Sequence, residues 1–187
     1  MTLFPCHNKI MKTPRALTHT RIWLILFSTA LIASGLTAIF AREGLRLLSP
    51  LFSQGSALWT LWPSMSEWLS LVFQAVEEMY SKYPFLAYGY DWLAFGHFII
   101  SIPFLMAIRD PIRHSWVITY GISACLAVLP FAIVFGAIRG IPLFWRGVDT
   151  LFGIGGLIVL LVLRGQLKAL EKSRATLPER LGHLAGV

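Results

Sequence analysis

The chain has 187 residues, of which 56% are hydrophobic and 13% are charged, and its mean hydropathy is +0.68. Because a soluble globular domain carries about 25% charged residues, this composition excludes an ordinary soluble domain and indicates a polytopic membrane protein. The net charge of +7 is compatible with nucleic-acid binding, but a basic excess is also typical of the cytoplasmic loops of membrane proteins, so the positions of the charges decide between the two.

The first predicted element is a membrane-spanning helix over residues 22–41, which follows a basic N-terminal tail at residues 1–21. A helix that crosses the bilayer needs about 20 mostly apolar residues, and IWLILFSTALIASGLTAIFA meets this requirement. A basic flank, an apolar core and small residues near Gly35 are also typical of a cleaved secretory signal. We expect an uncleaved anchor, because the apolar run is long for a signal and the following IFARE is a poor cleavage site. Met11, which precedes a sufficient basic flank, is an alternative start.

Residues 42–89 form the predicted outer segment, which contains an amphipathic helix over residues 64–83. Ser64 and Glu67 have the spacing of a capping box, in which each side chain bonds a free backbone N–H at the start of a helix. Apolar residues recur with helical period on one side of this helix: Met65, Trp68, Leu69, Val72, Val76, Met79, Tyr80 and Tyr83. Polar residues lie on the other side: Glu67, Ser70, Gln74, Glu77, Glu78 and Ser81.

We expect this amphipathic helix to lie flat in the outer membrane interface, where aromatic side chains with a polar group are favoured. Three tryptophans are then expected at headgroup depth: Trp59, Trp62 and Trp68. Docking of the apolar side on a partner subunit is the alternative.

Three further spans are predicted over residues 90–108, 116–138 and 148–164, followed by a tail at residues 165–187. The second and third spans are joined by RDPIRHSW, where Asp110 before a proline predicts a tight turn. Small residues in the spans predict close helix approach: Ala30, Ser34, Ala38, Gly136, Gly140, Gly153, Gly155 and Gly156.

The distribution of basic residues predicts that both termini are cytoplasmic, because basic residues concentrate in cytoplasmic segments. With four spans, eleven of the 16 basic residues then lie inside: Lys9, Lys12, Arg15, Arg21, Arg109, Arg113, Arg164, Lys168, Lys172, Arg174 and Arg180. Five lie outside: Arg42, Arg46, Lys82, Arg139 and Arg146. This arrangement explains the basic charge without a nucleic-acid partner.

The second span begins within YGYDWLAFGHFIIS, where ionisable side chains interrupt an apolar run. Such residues are costly inside a membrane unless they have a partner or a function. Residues seven apart lie on nearly the same face of a helix, so we expect Tyr90, Ala94, His97 and Ser101 to form a stripe that faces other helices. Asp91 is expected near the outer surface.

A candidate polar pocket follows from this stripe and from basic and acidic residues around the start of the fourth span. Its predicted members are Tyr90, Asp91, His97, Ser101, Arg139, Arg146 and Asp149. One interpretation is structural, with salt bridges at the outer ends of three helices and with His97 hydrogen-bonded to a neighbouring helix. The other is functional, with His97 at the floor of an outward-facing pocket that binds an anionic group or passes a proton, since histidine changes charge near neutral pH.

No cofactor and no metal site are predicted. Only His97 among the histidines lies within a span, and no second ligand follows it at three or four residues. A haem held by this one histidine, or shared between subunits, stays open. Cys6 and Cys125 give neither a disulfide framework nor a thiolate site. We recognise no nucleophile–base set, paired carboxylates or phosphate loop, so an enzyme is disfavoured.

Three segments within residues 88–156, YDWLAFGHF, RDPIRHSW and IRGIPLFWRGVDTLFG, resemble parts of a family of small, uncharacterised bacterial inner-membrane proteins. The resemblance implies a multi-pass protein of the bacterial inner (plasma) membrane. It implies no activity, cofactor or catalytic residue.

We therefore predict a single all-α membrane domain over residues 1–187, a helical bundle with four transmembrane helices and one outer interfacial amphipathic helix. The predicted function is that of a noncatalytic accessory or scaffolding subunit. Its partners are the lipid bilayer and other membrane subunits or further copies of the chain. The alternative is a small oligomeric transporter or sensor with an outward-facing polar pocket around His97.

Overall fold

The computed structural model describes the backbone of residues 12–185 and the side chains of residues 16–172. Cys6, the alternative start at Met11 and the side chains of Arg174 and Arg180 lie outside these ranges. The described chain is all-α and contains no strand, as predicted. Its seven α-helices are α1 Lys12–Ile39, α2 Ala41–Leu48, α3 Ala57–Leu61, α4 Pro63–Lys82, α5 Tyr88–Arg109, α6 Trp116–Ile138 and α7 Leu143–Ala185. Two 3₁₀ turns, Ser49–Phe52 and Pro84–Ala87, complete the order.

Within the described residues, four segments are long and apolar enough to cross a membrane: Ala16–Ile39, Pro84–Arg109, Trp116–Ile138 and Leu143–Lys172. The chain is thus a multi-pass membrane protein in contact with lipid, and the predicted fold class is confirmed. The large apolar side chains along these helices agree with this, because many of them are exposed, as a lipid-facing surface requires.

The fourth membrane-spanning helix, α7, is longer than the predicted span of residues 148–164. It begins at Leu143 and continues beyond Arg164 without interruption. The reason is an apolar stripe at alternating spacings of three and four residues, which remains buried on both sides of Arg164: Leu160, Leu163, Leu167 and Leu170. The basic residues end the hydrophobic run but not the helical period.

The described chain divides into two compact units. The hairpin unit comprises the residues up to Thr29 and those from Ile102 onward, and the inserted unit comprises Ala30–Ser101. The boundaries between them fall within α1 and α5.

In the hairpin unit, α6 and α7 pack against each other along much of their length. The core includes Phe104, Ile118 and Leu160, each no more than 2% exposed, and the rings of Phe27 and Phe104 lie 4.7 Å apart. The connection between α5 and α6 is the predicted tight turn. In it, the backbone N–H of Arg113 donates to Asp110 Oδ1 at 3.1 Å.

Gly140 has a different role from the close packing predicted for it. An added Cβ would meet nothing within 4 Å, but its φ of +69° is one that favours glycine. Its N–H donates to the carbonyl of Ala137, and the N–H of Ile141 donates to that of Gly136. This pair of bonds is the Schellman arrangement that ends a helix, so Gly140 terminates α6.

In the inserted unit, α4 confirms the predicted helix to within one residue at each end, but the predicted capping box is wrong. The N-cap residue is Trp62, no side chain caps it, and Pro63 is the first helical residue. Proline favours the first turn because it has no N–H to satisfy there. Ser64 and Glu67 therefore lie inside the helix. Met65, Ser66 and Val76 are the residues of α4 that are buried.

Candidate functional site

The predicted stripe on α5 faces protein. Ala94 and Ser101 are 1% and 3% exposed, and His97 is half-buried. Within the inserted unit, α1 approaches this face closely at Gly35. A Cβ added there would lie 2.7 Å from Phe98 Cε1 and 3.1 Å from His97 Cβ. A larger residue than glycine would therefore push α1 away from the histidine.

His97 bonds its own helix, not a neighbouring one as the structural interpretation expected. Its Nδ1 lies 2.8 Å from the carbonyl oxygen of Leu93. Because a carbonyl only accepts, Nδ1 carries the proton and Nε2 is left as an acceptor in the neutral ring. Ser101 is bound similarly, its hydroxyl donating to the carbonyl of Phe98 at 2.7 Å.

Tyr90 and Asp91 lie in the first turn of α5, where Tyr90 is half-buried and Asp91 is exposed. Both belong to the inserted unit together with His97 and Ser101, whereas the other three predicted pocket residues belong to the hairpin unit. The convergence of the seven side chains on one pocket stays a prediction.

Arg146 is the most constrained of those three residues. Its stem packs on Gly136, where an added Cβ would lie 2.5 Å from both Cγ and Cδ of the arginine. Its Nη1 lies 3.4 Å from the carbonyl of Ile133, a long hydrogen bond, and its Nε is buried without a partner in the described part of the chain. Arg139 is the exposed C-cap residue of α6, and Asp149 is half-buried about one turn after Arg146.

Metal binding has no visible framework in the described residues. No group of three histidine, cysteine, aspartate or glutamate side chains there is placed to hold an ion.

A second cluster, which we call the arginine clamp, joins α2 to α4 and was missed from the sequence. Arg42 donates to Glu77 through Nε at 3.1 Å and through Nη2 at 2.8 Å. Arg46 donates to the same carboxylate through Nε at 2.6 Å and through Nη2 at 2.9 Å. The guanidinium of Arg42 also lies 5.2 Å from the centre of the Tyr80 ring. Glu77 was predicted on the polar side of its helix, but its pairing with the two arginines was not predicted.

The residues of the clamp stabilise one another's charged forms. The hydrogen bonds from Arg42 and then Arg46 lower the pKa of Glu77 from 4.5 to about 2, because they stabilise the ionised carboxylate. The same bonds raise the pKa of Arg42. Burial first, and then the charge of Glu43, raises the pKa of Tyr80. The sequence signal that could have revealed the clamp is the four-residue spacing of Arg42 and Arg46, which places both on one face of α2.

An apolar cleft of about 350 Å³ lies between α2, the Ser49–Phe52 turn and α4. Its apolar lining consists of Leu45, Leu48, Pro50, Phe52, Leu69 and Phe73. Its polar lining consists of Ser49, Ser53, Ser70 and Gln74. Because the clamp fixes α2 against α4, it also fixes the two helices that form the walls of the cleft.

The comparisons with known proteins add no family. Neither the family models, nor the curated proteins, nor the solved structures include a significant match to this chain.

Proposed function

We propose that this chain is a noncatalytic accessory subunit of a bacterial inner-membrane assembly, and that its inserted unit binds an apolar helix of another membrane subunit. The apolar cleft between α2 and α4 carries this proposal. Both termini of the accessory subunit are cytoplasmic in this view, and the inserted unit is outside.

The cleft suits a helix that presents a few apolar side chains. Helix recognition commonly places such side chains, spaced three or four residues apart, into a preformed hydrophobic groove. The volume of about 350 Å³ is at the lower end of the range of ligand pockets, so it accommodates a few side chains only.

The polar lining favours a protein partner over a lipid tail. Hydroxyl and amide groups such as those of Ser49, Ser70 and Gln74 can bond the polar groups at the edge of a protein interface, whereas a hydrocarbon chain leaves them unpaired.

The arginine clamp makes the cleft rigid before binding. Four hydrogen bonds join Glu77 to Arg42 and Arg46, so the walls need not be ordered when the partner arrives. A preformed site loses less conformational entropy on binding, which favours a stable association.

Filling the cleft tests this function. The Ser70→Phe variant adds a ring at the cleft, and it should remove the partner from protein purified in a mild detergent. Leu47→Ser is the matched control, because Leu47 is 80% exposed and precedes a cleft residue without lining the cleft. The measurement is the mass of the native complex. A lone homo-oligomer in the wild type, or an unchanged heteromer in Ser70→Phe, would contradict the proposal.

A small transporter or sensor is the second candidate, and one observation favours it. The half-buried His97 donates through Nδ1 and keeps Nε2 available to take up a proton. On this view His97→Gln and His97→Leu both fold normally and both lose the phenotype of the gene. A structural histidine predicts instead that glutamine is tolerated and leucine is harmful. A normal phenotype in His97→Gln therefore excludes proton handling by this residue.

A further inference from the structure

A second cleft lies in the hairpin unit, between the beginning of α6 and α7, and has a volume of about 240 Å³. Ser115, Trp116 and Thr119 contribute to one wall, and Arg164, Lys168 and Glu171 contribute to the other. The accessory function proposed above does not involve this second cleft. It lies at the end of α6 opposite Arg139.

The charge of this cleft favours an anion. Arg164 and Lys168 are four residues apart, so their side chains lie on the same face of α7. They outnumber the one carboxylate of the cleft, Glu171.

The depth of the cleft favours a lipid headgroup. Trp116 is the first residue of a membrane-spanning segment and is 58% exposed, which suits the headgroup region where tryptophan is enriched. Arg164 and Lys168 lie where the long apolar stretch of α7 ends. Leu160 and Leu163, which belong to that stretch, are fully buried. Basic clefts between helices at this depth are suited to anionic headgroups.

We propose that this cleft binds the phosphate headgroup of an anionic phospholipid. Arg164 and Lys168 neutralise the phosphate, and the hydroxyl of Thr119 donates to it. Ser115 precedes α6 as its N-cap residue without making a capping bond, and its hydroxyl is a second donor. Glu171 accepts a hydrogen bond from a hydroxyl of the headgroup, so a glycerol headgroup fits better than choline. This inference requires only that α6 and α7 span the membrane and does not rest on the proposed accessory function.

The test uses the full-length protein in a neutral detergent, with native mass spectrometry to count retained lipid. Phosphatidylglycerol should bind and phosphatidylcholine should not. In the Arg164→Gln/Lys168→Gln variant, the affinity for phosphatidylglycerol should fall about tenfold or more, because each basic residue near an anionic lipid contributes a several-fold effect. Lys82→Gln is the control, since it removes one positive charge at an exposed position of the inserted unit.

Two further measurements complete the test. A competition with inorganic phosphate distinguishes a lipid from a soluble anion, and the Thr119→Val variant distinguishes lost binding from lost folding. Inorganic phosphate at the same concentration should not displace phosphatidylglycerol, and displacement would identify a soluble anion as the ligand. Thr119→Val keeps both charges and should weaken binding several-fold while leaving the helical content unchanged. An equal loss of lipid in Lys82→Gln, or full retention in the doubly substituted variant, would overturn the proposed site.

Discussion

Glu77 shows how one carboxylate can connect two helices that are remote in sequence. Its two oxygens accept hydrogen bonds from both guanidinium groups of the arginine clamp, and its side chain is only 27% exposed. Because the ionised form receives these bonds, the folded inserted unit binds a proton at this residue less readily than the unfolded chain does.

Acidification should therefore destabilise the inserted unit over a defined range. The stabilisation due to Glu77 is fully present above its ordinary pKa of 4.5 and is lost as the pH falls towards the folded-state pKa of about 2. We expect the Tm of the wild type in detergent to fall between pH 5 and pH 2.5. Glu77→Gln should lower the Tm at neutral pH and flatten this dependence. Glu67→Gln, an exposed carboxylate on the same helix, should keep the wild-type slope. A wild-type slope in Glu77→Gln would show that the clamp does not determine the pH response.

Two glycines of α7 differ in whether they contact α6 closely. A Cβ at Gly153 would lie 3.0 Å from the carbonyl oxygen of Cys125 and 3.2 Å from Leu129 Cδ2. A Cβ at Gly155 would meet nothing within 4 Å. The sequence predicted close approach at both, but two residues apart on a helix is about 200° around the axis, so only one of them can face α6.

Alanine at these two glycines should have opposite effects on stability. Gly153→Ala should cost about 1–3 kcal/mol, because the backbone of α6 must move to relieve the contact. Gly155→Ala should be neutral or stabilise the helix by up to about 1 kcal/mol, since alanine restricts the unfolded chain more than glycine does. The measurement is unfolding of the detergent-solubilised protein by a denaturing detergent. Equal tolerance of the two substitutions would mean that α6 and α7 are not packed at Gly153.

At the scale of the element, α4 was largely predictable because its apolar positions repeat with the period of a helix. Met65 and Val76 are buried as that period predicts, although Tyr83 is half exposed. The start of α4 was not predictable from the capping motif, because Pro63 occupies the first turn and moves the boundary before Ser64. Local signals compete at a helix end, whereas periodicity accumulates over its length.

A charge on the buried side of α4 tests this packing. Val76 is 5% exposed, and Val76→Asp would place an unpaired carboxylate among apolar side chains, with a cost of about 3 kcal/mol or more. Ala75→Asp, at an exposed position of the same helix, should change stability by less than about 1 kcal/mol. Limited proteolysis of the segment between α2 and α5, together with thermal unfolding, gives the comparison. Similar protection in both variants would show that the apolar side of α4 is not packed.

At the scale of the whole molecule, composition and hydropathy were sufficient to predict four spans, because each span is a local property of about 20 residues. The cleft in the inserted unit was not predictable in this way. Its walls come from α2 and α4, and their contact depends on the bonds that Arg42 and Arg46 make to Glu77. Each of these arginines is more than 30 residues from Glu77 in sequence. The packed face of α5 around His97 could be predicted from spacing alone, but the hydrogen bond to Leu93 could not.

The threading of the chain is expected from two independent features, the number of spans and the distribution of basic residues. If all four candidate spans of the described residues cross the membrane, the segments that flank them should lie on the same side. The connection between α5 and α6 contains Arg113, and the end of α7 contains Lys168 and Lys172, so these segments should be cytoplasmic under the positive-inside bias. The segment between α1 and α5 should then be external.

Reporter fusions check this threading directly. A reporter that is active only outside the cytoplasm should be inactive when fused after Arg113 or after Val187, and active when fused after Lys82. The fusion after Lys82 is the internal control, because it shows that the reporter folds in this protein. Activity after Val187 but not after Arg113 would require an odd number of spans between these two points, and activity after both would mean that the whole chain is inverted. In that second case, the basic residues at the ends of α5 and α7 would not set the orientation, and the amphipathic segment between α1 and α5 would face the cytoplasm.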